Sequence, residues 1–193
     1  MYRHTLFNTP VVTPVFCAIA WLWLRLAGWK IKGKPPERQK FIVIAYPHTS
    51  NWDVPFTLAI CMVYRLKIYW MGKESLFRGV LGPIMKWLGG IPVYFDGTGN
   101  TVLQIIDAYD NAEELVVVVA PEGNRSYVRQ WKTGFYHIAV GANVPIALGY
   151  LDFHKKQGGY LHSYFPTGDI DKDMTIIKAA YRGIKGKYAD QSE

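Results

Sequence analysis

An α/β fold, with a largely parallel central sheet flanked by helices, is predicted by two features of this 193-residue sequence. Short apolar runs alternate with segments of helical periodicity, which is the order of elements in proteins with parallel sheets. The runs at 41–46 (FIVIAY) and 115–120 (LVVVVA) are apolar throughout, as expected for strands that are covered on both faces. The length is sufficient for one domain with a sizeable core.

The other elements are predicted from the same two patterns, in chain order. Apolar runs predict further strands at 68–71, 91–95 and 144–150, and an edge strand at 160–165. Helical periodicity predicts helices at 54–66, 75–88, 100–112, 133–141 and 171–185. Pro83 lies inside the second of these helices. A kink or a break is expected there, because proline removes a helical hydrogen bond.

The N-terminal region is predicted to be a membrane-associated segment, residues 1–34, that precedes an α/β domain, residues 35–193. Thr13 and Pro14 predict the start of a hydrophobic, amphipathic helix, and Gly28 predicts its end. A helix of about fourteen residues spans about 21 Å. This is shorter than the roughly 30 Å hydrocarbon layer, so we expect a membrane-anchoring helix that does not cross the bilayer. Packing of the helix on the domain is the alternative.

Composition favours a lipid surface over nucleic acid as the partner. Charged residues are only 19% of the chain, against about 25% in typical soluble domains, and the formal net charge is +7. The sharpest basic cluster directly follows the apolar N-terminal segment and consists of Lys30, Lys32, Lys34, Arg38 and Lys40. This placement suits anionic headgroups and predicts a monotopic protein at the cytoplasmic face of a membrane. An ordinary solvated linker is the alternative.

A polar run follows the first core strand, at a strand-to-helix turn, where parallel sheets collect functional groups. It contains His48 and Asp53, which are close enough in sequence for the carboxylate to reach the imidazole. An imidazole can take a proton from a hydroxyl group, and a carboxylate on its other nitrogen fixes the tautomer. Taken alone, the pair also fits a surface histidine and an aspartate that caps the next helix.

Three further blocks extend this pattern. They are 71–77 (MGKESLF) with 89–93 (GGIPV), then 120–126 (APEGNRS), then 144–147 (VPIA). With the His48 block, and in this order, they resemble the glycerolipid acyltransferase family typified by bacterial lysophosphatidic acid acyltransferase. That family has an H-x4-D block, a Lys-Glu block with a later Gly-Ile, an E-G-T-R-S-like block and a V-P-I block. The resemblance covers roughly residues 35–185.

The resemblance implies transfer of a fatty acyl group from acyl-CoA or acyl-carrier protein to a hydroxyl of a glycerolipid such as 1-acylglycerol-3-phosphate. It implies that His48 is the general base and that Asp53 orients it. It also implies an acceptor-binding set, which is Lys73, Glu122, Gly123, Arg125 and Ser126, and an acyl-donor pocket with Asn51 and Pro145. No metal and no permanently bound cofactor are expected. Backbone N–H groups near His48 or Gly123 are expected to stabilise the oxyanion.

Two positions depart from the family pattern. Asn124 stands where the family has threonine, and Tyr94-Phe95-Asp96 stand where members often have an arginine that holds the acceptor phosphate. Arg78 or Lys86 could replace that arginine, or the acceptor could be a different lysolipid or a molecule without phosphate. A non-catalytic membrane-binding domain of the same fold is the third interpretation.

Overall fold

A single sheet organises the part of the chain that the computed structural model describes, residues 4–93 and 100–191. Its strands are β1 Lys30–Lys32, β2 Lys40–Tyr46, β3 Ile68–Lys73, β4 Gly90–Val93, β5 Leu115–Val119, β6 Ile146–Asp152 and β7 Gln157–Tyr164. Their order across the sheet is β1-β7-β6-β2-β5-β3-β4. The five strands from β6 to β4 are mutually parallel, and β7 runs antiparallel to β6. The predicted largely parallel sheet is confirmed.

Helices cover both faces of this sheet. They are α1 Val12–Leu26, α2 Asp53–Val63, α3 Leu81–Trp87, α4 Asn100–Asp110, α5 Gly134–Gly141 and α6 Ile170–Ala180. One hydrophobic core lies under α1 and α2, and a second lies under α4, α5 and α6. The stacked rings of Trp23 and Phe56, 4.6 Å apart, join α1 to α2.

The central strands supply both cores at once, which explains their unbroken apolar runs. In β5, Leu115 and Val117 belong to the core under α4 to α6, whereas Val116 and Val118 belong to the opposite core. All four side chains are at most 5% exposed. Because successive side chains in a strand point to opposite faces, a strand covered on both sides has no polar alternation.

The prediction that 160–165 is an edge strand is wrong. The corresponding strand, β7, lies between β6 and β1, because β1 pairs with it in parallel from Lys30 opposite Gln157 onwards. β1 has only three residues, KIK, in a basic stretch, and so short a strand gives no periodic signal. The division of the chain at residue 34 stays a prediction, with β1 ahead of that boundary and in the same sheet.

α1 begins at Val12, ahead of the predicted cap at Thr13. The Thr13 hydroxyl lies inside the helix and donates to the carbonyl oxygens of Leu6 and Thr9, at 2.8 Å in each case. Gly28 follows the helix with φ 76°, so the predicted end is confirmed, because glycine adopts this left-handed conformation at little cost. Among the described residues, no helix combines the length and the apolar character needed to span a bilayer.

The predicted helix at 75–88 is divided in the structure. A short 3₁₀ turn, Glu74–Phe77, is followed by α3, which begins at Leu81. The break lies ahead of Pro83, near Gly79, whose φ is 63°. Pro83 stands in the first turn of α3, where its missing N–H would have no helical partner, so it does not disturb the helix.

A buried carboxylate ties α5, β7 and α6 together on the second face. Asp173 accepts hydrogen bonds from the hydroxyls of Tyr136 (2.9 Å) and Tyr164 (2.6 Å), and from the backbone N–H (2.6 Å) and hydroxyl (2.8 Å) of Thr167. Burial acts to raise the pKa of Asp173, but these hydrogen bonds outweigh it and lower the pKa to about 2. The carboxylate therefore stays charged inside the fold.

Candidate active site

The carboxyl ends of three neighbouring strands, β2, β5 and β3, meet at one edge of the sheet. The polar run 47–53 follows β2, the block 120–126 follows β5, and Lys73 ends β3. These segments border a cavity of about 820 Å³. The fold thus brings together three of the four sequence blocks around one opening, as expected for parallel sheets.

His48 and Asp53 form the predicted pair at this opening. His48 Nδ1 lies 3.1 Å from Asp53 Oδ2, and the two side chains are 19% and 5% exposed. Ser50 fixes the carboxylate: its N–H donates to Oδ2 at 2.7 Å and its hydroxyl donates to Oδ1 at 3.1 Å. His48 lines the cavity, and Nε2 is the ring nitrogen that the aspartate leaves available. This is the arrangement that a general base requires.

Glu122 contacts the same histidine through the backbone. Its side chain is only 3% exposed, and Oε2 accepts a hydrogen bond of 2.6 Å from the His48 N–H. A charged acceptor makes this a strong hydrogen bond. It joins the loop after β5 to the loop after β2, so the carboxylate contributes to the position of His48. The resemblance instead assigns Glu122 to acceptor binding, and that role stays a prediction.

Gly123 and Lys132 lie side by side at the cavity. Gly123 has φ 70°, and a Cβ atom there would lie 2.7–2.9 Å from the Lys132 side chain. The position therefore favours glycine by conformation, whereas the flexible end of the Lys132 side chain could move away from an added Cβ. The Lys132 N–H donates to Pro121 O at 2.8 Å, which holds this lysine beside the block. Lys132 is a site residue that was not predicted from the sequence, although it directly precedes a predicted helix at the carboxyl edge of the sheet.

The backbone donors predicted for the oxyanion are already engaged. The His48 N–H donates to Glu122, and the Gly123 N–H donates to Ala120 O at 3.1 Å. These two N–H groups are therefore not available to an oxyanion, and the role of the other N–H groups near them stays a prediction. Positive charge at the cavity comes from three exposed side chains that line it, Lys73, Arg125 and Lys132. Ser126 also lines the cavity, and its N–H donates to the side chain of Asn124 at 3.0 Å.

The deeper lining is apolar. It includes the buried side chains of Ile68, Val118, Phe135, Ile138 and Leu151. The two residues assigned to the donor pocket lie elsewhere. Pro145 precedes β6 at the opposite edge of the sheet, where its carbonyl accepts from Ile42 N at 3.1 Å, and Asn51 is exposed on the turn before α2. Neither lines the cavity. For Pro145 the reason is that the V-P-I block enters its strand at the amino end.

The two cations suggested as substitutes for the family arginine also lie away from the cavity lining. Arg78 pairs with Glu74 through two contacts, Nη2–Oε2 at 2.6 Å and Nε–Oε1 at 2.9 Å. Lys86 is exposed on α3. The departure at Tyr94-Phe95-Asp96 lies outside the described residues.

Thiol and metal chemistry have no obvious centre in the described part of the chain. Cys17 and Cys61 are both free thiols. Burial raises the pKa of Cys61 to about 12, so this thiol is uncharged. Within residues 4–93 and 100–191, no group of three or more His, Cys, Asp and Glu side chains is placed to hold a metal ion.

Comparison with known proteins gives consistent matches. A relative from Haemophilus influenzae named 1-acyl-sn-glycerol-3-phosphate acyltransferase is 30% identical over 132 residues, which are 63% of this chain and 53% of that protein. The chain thus spans about half the length of this relative. The crystal structure of the 1-acyl-sn-glycerophosphate (LPA) acyltransferase PlsC from Thermotoga maritima shares the fold with a TM-score of 0.61 at 19% identity, covering 90% of this chain and 78% of that one. The model of the family described as Acyltransferase matches residues 29–147, and the chain therefore belongs to that family.

Proposed function

We propose that this protein catalyses O-acyl transfer from an acyl thioester to a hydroxyl of a lysolipid. The observation that carries the proposal is the His48–Asp53 contact of 3.1 Å at the opening of a large, mostly apolar cavity. Cavities of 300–1,000 Å³ hold small-molecule substrates in many proteins. Acyl-CoA or acyl-carrier protein is the proposed donor, and no bound cofactor is required.

The proposed reaction is a direct displacement. The acceptor hydroxyl lies between His48 Nε2 and the thioester carbonyl carbon. As its oxygen forms the new C–O bond, the proton passes to Nε2, and Asp53 stabilises the resulting imidazolium. The tetrahedral intermediate then breaks its C–S bond, and the leaving thiolate takes the proton back from His48. No covalent acyl-enzyme is involved, and the Ser50 hydroxyl is engaged with the Asp53 carboxylate at 3.1 Å.

The positive charges at the cavity favour an acceptor lipid that carries a phosphate group. Lys73, Arg125 and Lys132 all line it and are exposed. A guanidinium fork and two ammonium groups suit a phosphate monoester. The names of the relatives specify 1-acylglycerol-3-phosphate as their substrate. We therefore propose 1-acylglycerol-3-phosphate as the acceptor of this chain too, with the buried apolar lining available to an acyl chain.

An acceptor panel tests this proposal. Purified protein with labelled acyl-CoA is expected to acylate 1-acylglycerol-3-phosphate faster than monoacylglycerol or lysophosphatidylcholine. Arg125→Ala with Lys132→Ala should raise KM for the phosphate acceptor at least about 10-fold, because each charged hydrogen bond contributes about 1.5–3 kcal/mol. Lys155→Ala with Lys156→Ala, two exposed lysines on another turn, is the control. Preference for an uncharged acceptor would identify a different lysolipid substrate, and no acyl transfer at all would leave a non-catalytic domain.

We further propose that the protein docks on a membrane through α1, monotopically and at the cytoplasmic face. Val15, Ile19, Leu22 and Leu26 recur every three or four residues and are 49–79% exposed. They form one continuous apolar face, directed away from the core. Arg25 at the end of the helix and the lysines of β1 supply positive charge for anionic headgroups.

The same apolar surface extends toward the cavity. Phe16 of α1 meets Trp87 of α3 edge to face, with ring centroids 6.2 Å apart. The segment before and within α3 exposes further large apolar side chains, which are Leu76, Val80, Leu81 and Ile84. Leu76 also lines the cavity. A lipid surface against these residues would lie next to the opening, which supports entry of acyl chains from the membrane.

Charge substitutions on α1 test membrane docking. Ile19→Glu with Leu22→Glu should reduce binding to vesicles with 30% phosphatidylglycerol by more than about 10-fold, because each buried apolar side chain contributes about 1.5–3 kcal/mol. The measurement is co-sedimentation with the vesicles. Leu103→Glu with Ile176→Glu is the matched control, since these side chains are 66% and 41% exposed on α4 and α6, on the other side of the sheet. Equal binding of both variants and the parent protein would contradict docking through α1.

A further inference from the structure

We propose that the segment 184–191 is a positioning element of the acyl-transfer site, in which Gly186, Tyr188 and Gln191 hold Thr49 and thereby His48. The proposal rests on the proposed function for its effect on turnover. The segment follows α6 and lies beyond residues 29–147, where the family model matches. The match to the family model therefore does not extend to its contacts with the catalytic loop.

Thr49 is the point at which the segment meets the catalytic loop. It directly follows His48 and is only 2% exposed. The backbone N–H of Tyr188 donates to its hydroxyl at 3.3 Å. The buried hydroxyl thus has a partner outside its own loop, and the segment fixes the loop one residue away from the general base.

Gln191 connects the segment to both loops of the site. Its side-chain amide faces two carbonyl oxygens, so its nitrogen is the atom that points to them. The nitrogen donates to Arg125 O at 2.6 Å and to Thr49 O at 3.1 Å. One side chain therefore joins the loop after β2 to the loop after β5, alongside the Glu122 contact with His48.

The segment is itself held at several places. Ile184 is buried in the core, and Lys185 O accepts from Phe153 N at 3.0 Å. Lys187 Nζ lies 5.1 Å from the ring centroid of Trp52, the residue ahead of Asp53. A support anchored in the core can restrict the loop that it contacts, whereas a frayed terminus could not.

Gly186 fits against Thr49 without room for a side chain. A Cβ at this position would lie 2.5 Å from Thr49 Oγ1 and 2.6 Å from Thr49 Cγ2. Gly186 does not have a positive φ, so alanine meets no backbone strain there. The three heavy atoms nearest to the added Cβ all belong to Thr49, so the Gly186→Ala substitution displaces Thr49 first. A displacement of about 1 Å in a catalytic group can cost about 10²-fold in rate.

A double-mutant cycle tests the proposal. Gly186→Ala is expected to lower kcat at least about 10-fold with KM changed less than about 3-fold, because it moves the loop and not the acceptor-binding cations. Thr49→Ala removes both clashing atoms and leaves only Cβ, 3.1 Å from the added methyl group. The double variant should therefore recover most of the kcat of Thr49→Ala alone, because the remaining contact of 3.1 Å requires only a small shift. A loss in Gly186→Ala that adds in full to that of Thr49→Ala would overturn the proposal.

Gln191→Glu gives an independent test. The carboxylate has the same shape but cannot donate to the two carbonyls, so kcat should fall at least about 5-fold, in line with the loss of two hydrogen bonds of about 1 kcal/mol each. Gln104→Glu is the matched control, because it adds the same charge at an exposed position on α4. Equal kcat in both variants would count against Gln191 as a positioning residue.

Amide hydrogen exchange separates this proposal from the proposed function. Exchange at residues 48–53 needs no substrate, and it should accelerate in Gly186→Ala and Gln191→Glu but not in Gln104→Glu. If the parent protein transfers no acyl group and exchange still accelerates, the proposed function fails and the segment still holds the loop. Unchanged exchange in both variants overturns the positioning role, whatever the activity.

Discussion

Replacement of His48 by alanine is expected to lower kcat at least about 10²-fold, within the usual effect of losing a general base. His48 lines the cavity, and its Nδ1 is 3.1 Å from Asp53, which leaves Nε2 to receive the acceptor proton. Without the imidazole, the hydroxyl must attack while still protonated. The measurement is the initial rate of acyl transfer at saturating acceptor and donor.

His154→Ala is the matched control for this substitution. His154 is exposed in the turn between β6 and β7, so its loss should leave kcat within about 2-fold, as for most surface substitutions. Thermal unfolding of both variants shows whether the fold is retained. A folded His48→Ala protein with the parent's kcat would rule out the proposed mechanism.

Asp53→Asn is expected to lower kcat by about 10- to 10³-fold, because the imidazolium that forms on His48 loses the opposite charge beside it. Asp53 Oδ2 accepts from the Ser50 N–H at 2.7 Å and also lies 3.1 Å from His48 Nδ1. An asparagine oxygen at this position serves both groups, and its NH₂ group then faces the Ser50 hydroxyl. The Nδ1–H tautomer is therefore retained, and the loss of rate comes from the missing negative charge.

Asp110→Asn is the control, because it removes one negative charge at an exposed position at the end of α4, away from the site. The ¹⁵N chemical shifts of His48 report the ring tautomer directly, without substrate, and should be the same in Asp53→Asn and in the parent protein. If Asp53→Asn keeps the parent kcat, the negative charge of Asp53 does not contribute to the reaction.

The central sheet and the catalytic pair are local features of the sequence, which is why they could be predicted. A strand buried on both faces has an apolar run, as in 41–46 and 115–120. His48 and Asp53 lie on one turn, so their contact depends on the geometry of a few residues. Both inferences need only near neighbours in the chain, together with the rule that functional groups collect at the carboxyl ends of parallel strands.

The features that were missed depend on distant residues. The hydrogen bond from His48 N to Glu122 joins positions 74 apart, and Tyr188 meets Thr49 across 139 positions. No periodicity indicates such contacts, because the strand order decides them. Pro145 is a different case, because its place at the start of the predicted strand 144–150 already puts it at the amino end of β6, opposite His48.

The order of the strands also bears on how molecules of this protein behave when crowded together. The outermost strand of a sheet has unpaired backbone N–H and C=O groups. A strand of a neighbouring molecule can pair with them, and repeated pairing of this kind leads to aggregation. Here one border, β1, is three residues long with two exposed lysines, and the other, β4, contains Pro92, which has no N–H to offer. At β1, the lysines of two molecules would repel each other. At β4, the missing N–H of Pro92 would interrupt the row of hydrogen bonds to a second molecule. Both features oppose intermolecular strand pairing in a protein that also exposes apolar side chains on α1.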